Sequence, residues 1–150
     1  MTLARLGDEN IQRYGEYEAL AFEGRRLTNV DQQRAACRVA HALRRLGVET
    51  GDRVVVMLPN CPEVLQAYAA ILKLGAVVVP VIFLLSPEEV RHILADAGAQ
   101  VAITSPELAD KLGDFRGTTV LVGGAGRPED EGEPEEESHG RSYHEVSSPP

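Results

Sequence analysis

The sequence has no tryptophan, two cysteines, and few aromatic residues of any kind (5%). Any core must therefore rest on Val, Leu, Ile and Ala. Cys37 and Cys61 have neither disulfide-framework spacing nor a CxxC pattern. That argues against a stapled secreted scaffold and for reduced thiols in the cytoplasm. No apolar run approaches the ~20 residues that span a bilayer, and no charged-then-apolar leader opens the chain. No membrane span is expected. Lys and Arg never cluster on the chain, whose formal net charge is −8. A nucleic-acid partner is excluded on that ground, because phosphate backbones are bound by concentrated positive charge. Neither GxxxxGK[ST] nor GxGxxG occurs, so the common glycine-rich phosphate loops are missing as well.

What is present is about one domain's length of chain, organised around Arg53 to Thr104. Apolar runs at Val54 to Leu58, Ala76 to Ile82 and Val101 to Ile103 alternate with two helical patterns. Runs of Val, Ile and Leu without polar alternation read as strands covered on both faces, as in a parallel sheet. Their connections are too long for hairpins and suit crossover helices. The fold class expected is α/β: a mostly parallel sheet of about four strands flanked by helices, preceded by a β-hairpin and followed by a disordered acidic tail. The divisions are an N-terminal segment 1–18, an α/β lobe 19–122 and an acidic flexible tail 123–150. That tail holds eight acids against two arginines, leaving −2 for everything before it. Such a composition has too little to bury to offset its ordering entropy.

Residues 1–17 are polar and weakly patterned, with a short helix suggested by Leu3, Leu6, Ile11 and Tyr14. Ala19 to Phe22 and Arg25 to Thr28 read as a hairpin turning at Glu23-Gly24. Thr28 and Asp31 form a variant capping box that opens a helix ending near Leu46-Gly47. Its apolar face is Ala35, Val39, Leu43 and Leu46, with Arg34, Arg38, Arg44 and Arg45 on solvated faces. After the first central strand, Asn60 or Cys61 caps a helix with Pro62 in its first turn, Asn being the better capping residue. Val64, Leu65, Tyr68, Ile71 and Leu72 should form its buried face. Pro80 marks the end of the second strand. Ser86-Pro87-Glu88-Glu89 is a full capping box with Pro at N1. Ser105-Pro106-Glu107 starts a short helix to about Leu112, and Thr118 to Val122 is the fourth strand.

Residues able to carry chemistry are sparse. Gly123 to Gly126 follows a strand as a phosphate loop would, yet Arg127-Pro128 and an acidic run come next in place of a helix start. It reads as a flexible strand exit. His41 and His92 lie in helical patterns and His139 and His144 in the tail, none with acid or thiol partners at metal-ligand spacing. Ser86 and Ser105 are accounted for as helix caps and not as nucleophiles. Asp52 stands before a strand, the wrong end for a phosphoacceptor. Cys61 and Tyr68 read as packing residues. No residue is assigned a catalytic, cofactor-binding or metal role.

The ordered series GDRVVVMLPNCPE (Gly51 to Glu63), LKLGAVVVPV (Leu72 to Val81) and LSPEEVRHILADAGAQVAITS (Leu85 to Ser105) resembles the N-terminal part of adenylate-forming enzymes. These are the acyl-CoA synthetases, the adenylation domains of nonribosomal peptide synthesis and the luciferases. The likeness covers roughly Ala19 to Val122. Leu27-Thr28 resembles the family's first core motif, with Asn29 where an aromatic is usual and Asp31 where Glu is. Leu72 to Val81 resembles the second, with Leu74 for a common Ala. Both are chiefly structural in that family. Its serine/threonine/glycine-rich phosphate loop, adenine- and magnesium-holding segment, ribose-binding Asp and catalytic Lys have no counterpart here. The resemblance thus implies the first lobe of an ATP-dependent ligase that activates a carboxylic acid as its adenylate and passes it to CoA or a carrier thiol. ATP, magnesium and CoA belong to the full-length parent, and this chain is expected to bind none of them and to be inactive alone. Its partners would be the remainder of the synthetase or a second copy. The alternative is a non-catalytic interaction module or truncated paralogue binding a synthetase partner, and a small flavodoxin-like ligand-binding domain is a further rival.

Overall fold

The computed structural model describes residues 3–123 and 143–146. Helix α1 (Leu3–Tyr14) is followed by the hairpin β1 (Glu18–Phe22) and β2 (Arg25–Thr28), then helix α2 (Asn29–Arg45). The parallel unit comprises β3 (Arg53–Met57), α3 (Pro62–Lys73), β4 (Val77–Pro80), α4 (Pro87–Ala97), β5 (Val101–Thr104), a 3-10 helix (Pro106–Leu112) and β6 (Thr118–Val122). A last strand, β7, spans Tyr143–Val146. The hairpin turns at Glu23 (φ 47°) and Gly24 (φ 77°). Two consecutive left-handed residues match the twist of paired strands, and glycine makes the second of them inexpensive.

The main sheet has the order β4-β3-β5-β6-β7. Its first four strands are parallel, and β7 runs antiparallel to β6, with Tyr143 opposite Val122 and Val146 opposite Thr119. Most of the acidic tail lies outside the described residues, and within it Tyr143–Val146 is a fifth strand. Polar residues hide such a strand from a periodicity argument, since an edge strand is held largely by its ladder.

Strand alternation divides the core in two. Val54 and Val56 face one layer with Val39, Leu43, Ala67, Ala70 and Ile71 of α2 and α3. Val55 and Met57 face the other, with Val90 and Leu94 of α4 and Leu112. All four valine and methionine side chains are essentially fully buried, as befits strands covered on both faces. β4 departs from that expectation. It lies at the sheet's edge, where Val77 and Pro80 are exposed and Val78 and Val79 half-buried.

The α2 capping box forms as its sequence suggests, with Asp31 N–H donating to Thr28 Oγ1 (3.1 Å) and Thr28 N–H to Asp31 Oδ2 (3.0 Å). Ala35, Val39 and Leu43 are buried, Leu46 is half-buried against the core, and the four arginines are exposed. Helix α3 decides one alternative and corrects one expectation. Its N-cap is Cys61, the second of the two candidates, and no side chain caps it. Its buried face is Pro62, Glu63, Gln66, Ala67, Ala70 and Ile71, while Leu65 is 54% exposed. Small Ala67 and Ala70 let α3 pack closely on α2, and that close approach sets the helix's rotation.

Candidate functional site

Open parallel sheets bind ligands at the carboxyl ends of their strands, where successive connections leave in opposite directions. Here that place lies between β3 and β5. β3 connects through α3 to β4 on one side, and β5 connects through the 3-10 helix to β6 on the other. The residues that meet there are the register partners Met57 and Thr104, flanked by Cys61, Pro62 and Glu63 from α3 and by Ser105.

The crevice is closed by its own chain. Thr104 is fully buried, and its hydroxyl donates to the Met57 carbonyl at 2.9 Å. Ser105 is also buried. It occupies the cap position of the 3-10 helix in extended conformation, yet its hydroxyl makes no cap hydrogen bond. The cap role expected for Ser105 is therefore corrected to a packed position. Ser86 does cap: Glu89 N–H donates to its Oγ, and the Glu89 carboxylate accepts from Ser86 N–H at 2.8 Å. Those bonds hold the Glu89 carboxyl below its usual range, the Ser86 backbone N–H being the larger cause and its hydroxyl the second.

Cys61 is half-buried against the α2/α3 layer, as a packing residue would be. Burial is the largest force on its thiol, followed by the hydrogen bond to the Glu63 side chain and then the Glu63 charge. Together they raise its pKa from 9.0 to about 11, against the lowering pull of the Val64 and Glu63 backbone N–H groups. A thiol held protonated is a poor nucleophile. Glu63 itself is 1% exposed. Sequence reasoning missed the burial of Glu63, Thr104 and Ser105. The one available signal was Thr104-Ser105 directly after the apolar run Val101 to Ile103.

The remaining candidates are scattered. Asp52 accepts from Glu49 N–H at 2.8 Å and serves a turn. His41 is exposed beside a small cleft with Cys37, Arg44 and Lys73, and His92 is exposed on α4. Tyr68 is half-buried against the core. His144 stands in β7 opposite Leu121. His139 and Gly124 to Gly126 lie outside the described residues, and Gly123 ends β6 exposed with φ 75°. No cluster of three or more His, Cys, Asp or Glu suited to a metal occurs among the described residues. None of their helices is long and apolar enough to cross a membrane. An open groove of about 680 Å³ lies between α4 and the 3-10 helix, lined by Arg91, Leu94, Gln100, Leu112, Phe115 and Arg116. It sits at the amino ends of β5 and β6, away from the crevice.

The order of elements, the parallel sheet and the closed crevice can be set beside known proteins. The family model for AMP-binding enzymes matches residues 7–149. The chain belongs to the AMP-binding enzyme family. It is 42% identical over 94 residues to the feruloyl-CoA synthase of an Amycolatopsis species, covering 63% of this chain and 19% of that protein. The fatty acyl CoA synthetase of Mycobacterium tuberculosis superposes with a TM-score of 0.70 at 29% identity, covering 74% of this chain and 22% of that one. The N-terminal subdomain of Klebsiella oxytoca NpsA, solved in complex with 3-hydroxybenzoyl-AMSN, gives 0.65 at 28% identity, covering 69% and 26%. The chain thus spans about a fifth of the length of the curated relatives it matches, and its fold is the first lobe of the acyl-CoA synthetase-like architecture.

ATP and magnesium, which the family implies, do not fit the side-chain donors at the carboxyl edge of this chain. Thr104 is committed to Met57 and Ser86 to Glu89. Ser105 is packed away from solvent.

Proposed function

We propose that this chain is the structural N-terminal part of an ATP-dependent ligase that joins a carboxylic acid to the thiol of CoA or of a carrier protein, and that it is inactive alone. Activation in such a ligase is attack of the acid on the α-phosphate with loss of pyrophosphate, and this chain contributes scaffold to it. The observation that carries the reading is the closed crevice between Met57 and Thr104, on a lobe that spans a fifth of its ligase relatives. The acid is left open between aryl and fatty classes, both represented among the relatives. A cytoplasmic setting is part of the reading, supported by two free thiols.

Isothermal titration of the full chain with ATP and magnesium, repeated with a non-hydrolysable acyl-adenylate analogue, tests it. No heat of binding is expected with either. Saturable binding near one ligand per chain would sink the claim of inactivity and place a nucleotide site within these residues.

A further inference from the structure

The groove between α4 and the 3-10 helix lies at the opposite edge of the sheet from the crevice, and the ligase reading makes no use of it. Short-range bonds fix its shape. Phe115 N–H donates to the Leu112 carbonyl at 3.2 Å, closing a turn through Gly113 (φ 59°), and Thr118 N–H donates to the Gln100 carbonyl at 2.8 Å. At Gly117 a side chain would strike that carbonyl and the Phe115 ring. Glycine there lets the chain entering β6 run close against the start of β5, with Phe115 and Arg116 on the groove.

The lining has two characters. Leu94 and Leu112 are buried and Phe115 half-buried, all three in the α4 core layer, so part of the wall is apolar. Arg91 and Arg116 are exposed. The Arg91 stem is laid against Gly113, where a Cβ would come within 3.0 Å of Arg91 Cδ. Among the described residues neither guanidinium has an ion-pair or hydrogen-bond partner. Asp114 is the one acid in the lining, so the groove is net positive on a chain whose total is −8.

We propose that this groove is a binding site for a small amphipathic monocarboxylate, its aromatic or aliphatic body on Leu94, Leu112 and Phe115 and its carboxylate held by Arg91 and Arg116. The volume of about 680 Å³ lies within the ~300–1,000 Å³ of ligand pockets. A guanidinium fork matches the two oxygens of a carboxylate and is more weakly hydrated than an ammonium. The carboxyl end of α4 reaches the groove at Gly98 and presents about half a negative charge there. That wall and Asp114 disfavour a dianion, and the apolar wall disfavours an ion without a body. The site needs only the lobe itself and stands whether or not the ligase reading does.

The test titrates the isotope-labelled full chain with cinnamate and with octanoate and follows backbone amide shifts by NMR. Saturable shifts are expected at Gly98, Gln100, Gly117 and Thr118 and none at Met57, Cys61 or Thr104. Saturation should fall in the millimolar range, because both guanidiniums face water. Response to one acid and not the other supports the site and identifies the body that fits. Cinnamyl alcohol, the same body without the charge, should bind at least about 3-fold more weakly than cinnamate. Arg91→Gln/Arg116→Gln should weaken the acids about 3- to 10-fold. Ala95→Trp, at an exposed position on the wall, should block them by filling the groove. The spectrum of each variant reports its folding, and Ala95→Trp decides alone if the arginine pair does not fold. Absence of saturable shifts with both acids overturns the proposal. So do shifts centred on the Met57–Thr104 crevice, equal binding of the alcohol, or undiminished binding in a folded variant.

Discussion

Thr104 closes an otherwise apolar strand, and its hydroxyl satisfies a carbonyl that has no access to water. Replacing it with the near-isosteric valine keeps the packing volume and strands the Met57 carbonyl. Leaving a buried polar group without its partner costs about 1–3 kcal/mol, so Thr104→Val should lower stability by that amount in urea titrations, with the slope unchanged. Cys61 makes a different prediction. Its folded pKa is raised from 9.0 to about 11, so on titration the unfolded chain loses the proton first. Stability from this group is therefore fully present below pH 9, falls as the pH rises through the window, and is lost above about 11. Denaturation midpoints should decline across that window in the parent chain and less so in Cys61→Ser. A midpoint that rises from pH 9 to 11 would contradict the assignment.

At the scale of elements, the structures that a few adjacent residues specify are those that can be read directly. Ser86 with Glu89, Thr28 with Asp31, and the Glu23-Gly24 turn each contain their own hydrogen-bonding partners or backbone freedom, and each forms where the pattern places it. Ser86→Ala should cost about 1 kcal/mol of helix and protein stability, measurable by thermal or chemical unfolding. Because the Glu89 carboxyl is held below its ordinary value, the box contributes above the usual carboxylate range and fades as the pH falls through the lowered value. Ser86→Ala should therefore differ least from the parent chain in strong acid. Elements whose details depend on a distant surface were misjudged. The face that α3 buries is chosen by α2, which brings Gln66 inward and leaves Leu65 out. Between Asn60 and Cys61 as the cap of α3 the local pattern does not decide, and Cys61 takes the position in extended conformation (φ −148°). Ser105 is buried at the cap position, and its hydroxyl makes no cap bond. The crevice was hidden for the same reason, since its closure is a bond between residues 47 positions apart.

Across the whole molecule, burial is distributed unevenly, and stability should follow it. β3 and β5 are covered on both faces and bounded by strands on both sides. Helix α1 buries no residue and exposes Leu3, Leu6 and Tyr14. It is tied to the lobe by polar contacts, among them Asp8 with Gln33 and Asp8 with Lys73 at 3.3 Å. An ion pair with one exposed partner contributes at most about 1 kcal/mol, whereas truncating a fully buried leucine removes about 2–5 kcal/mol. Lys73→Ala should accordingly shift the unfolding midpoint little, and Leu43→Ala, at 1% exposure, should shift it severely. Native-state hydrogen exchange separates the two levels. Amides of α1 should exchange through a local opening that Lys73→Ala accelerates and Leu43→Ala leaves nearly unchanged, while those of Val55 and Ile103 should exchange only by global unfolding and respond to Leu43→Ala. If α1 and β3 amides lost protection together under both substitutions, α1 would be part of the cooperative core. The view of the N-terminal segment as an outlying attachment to the lobe would then fail.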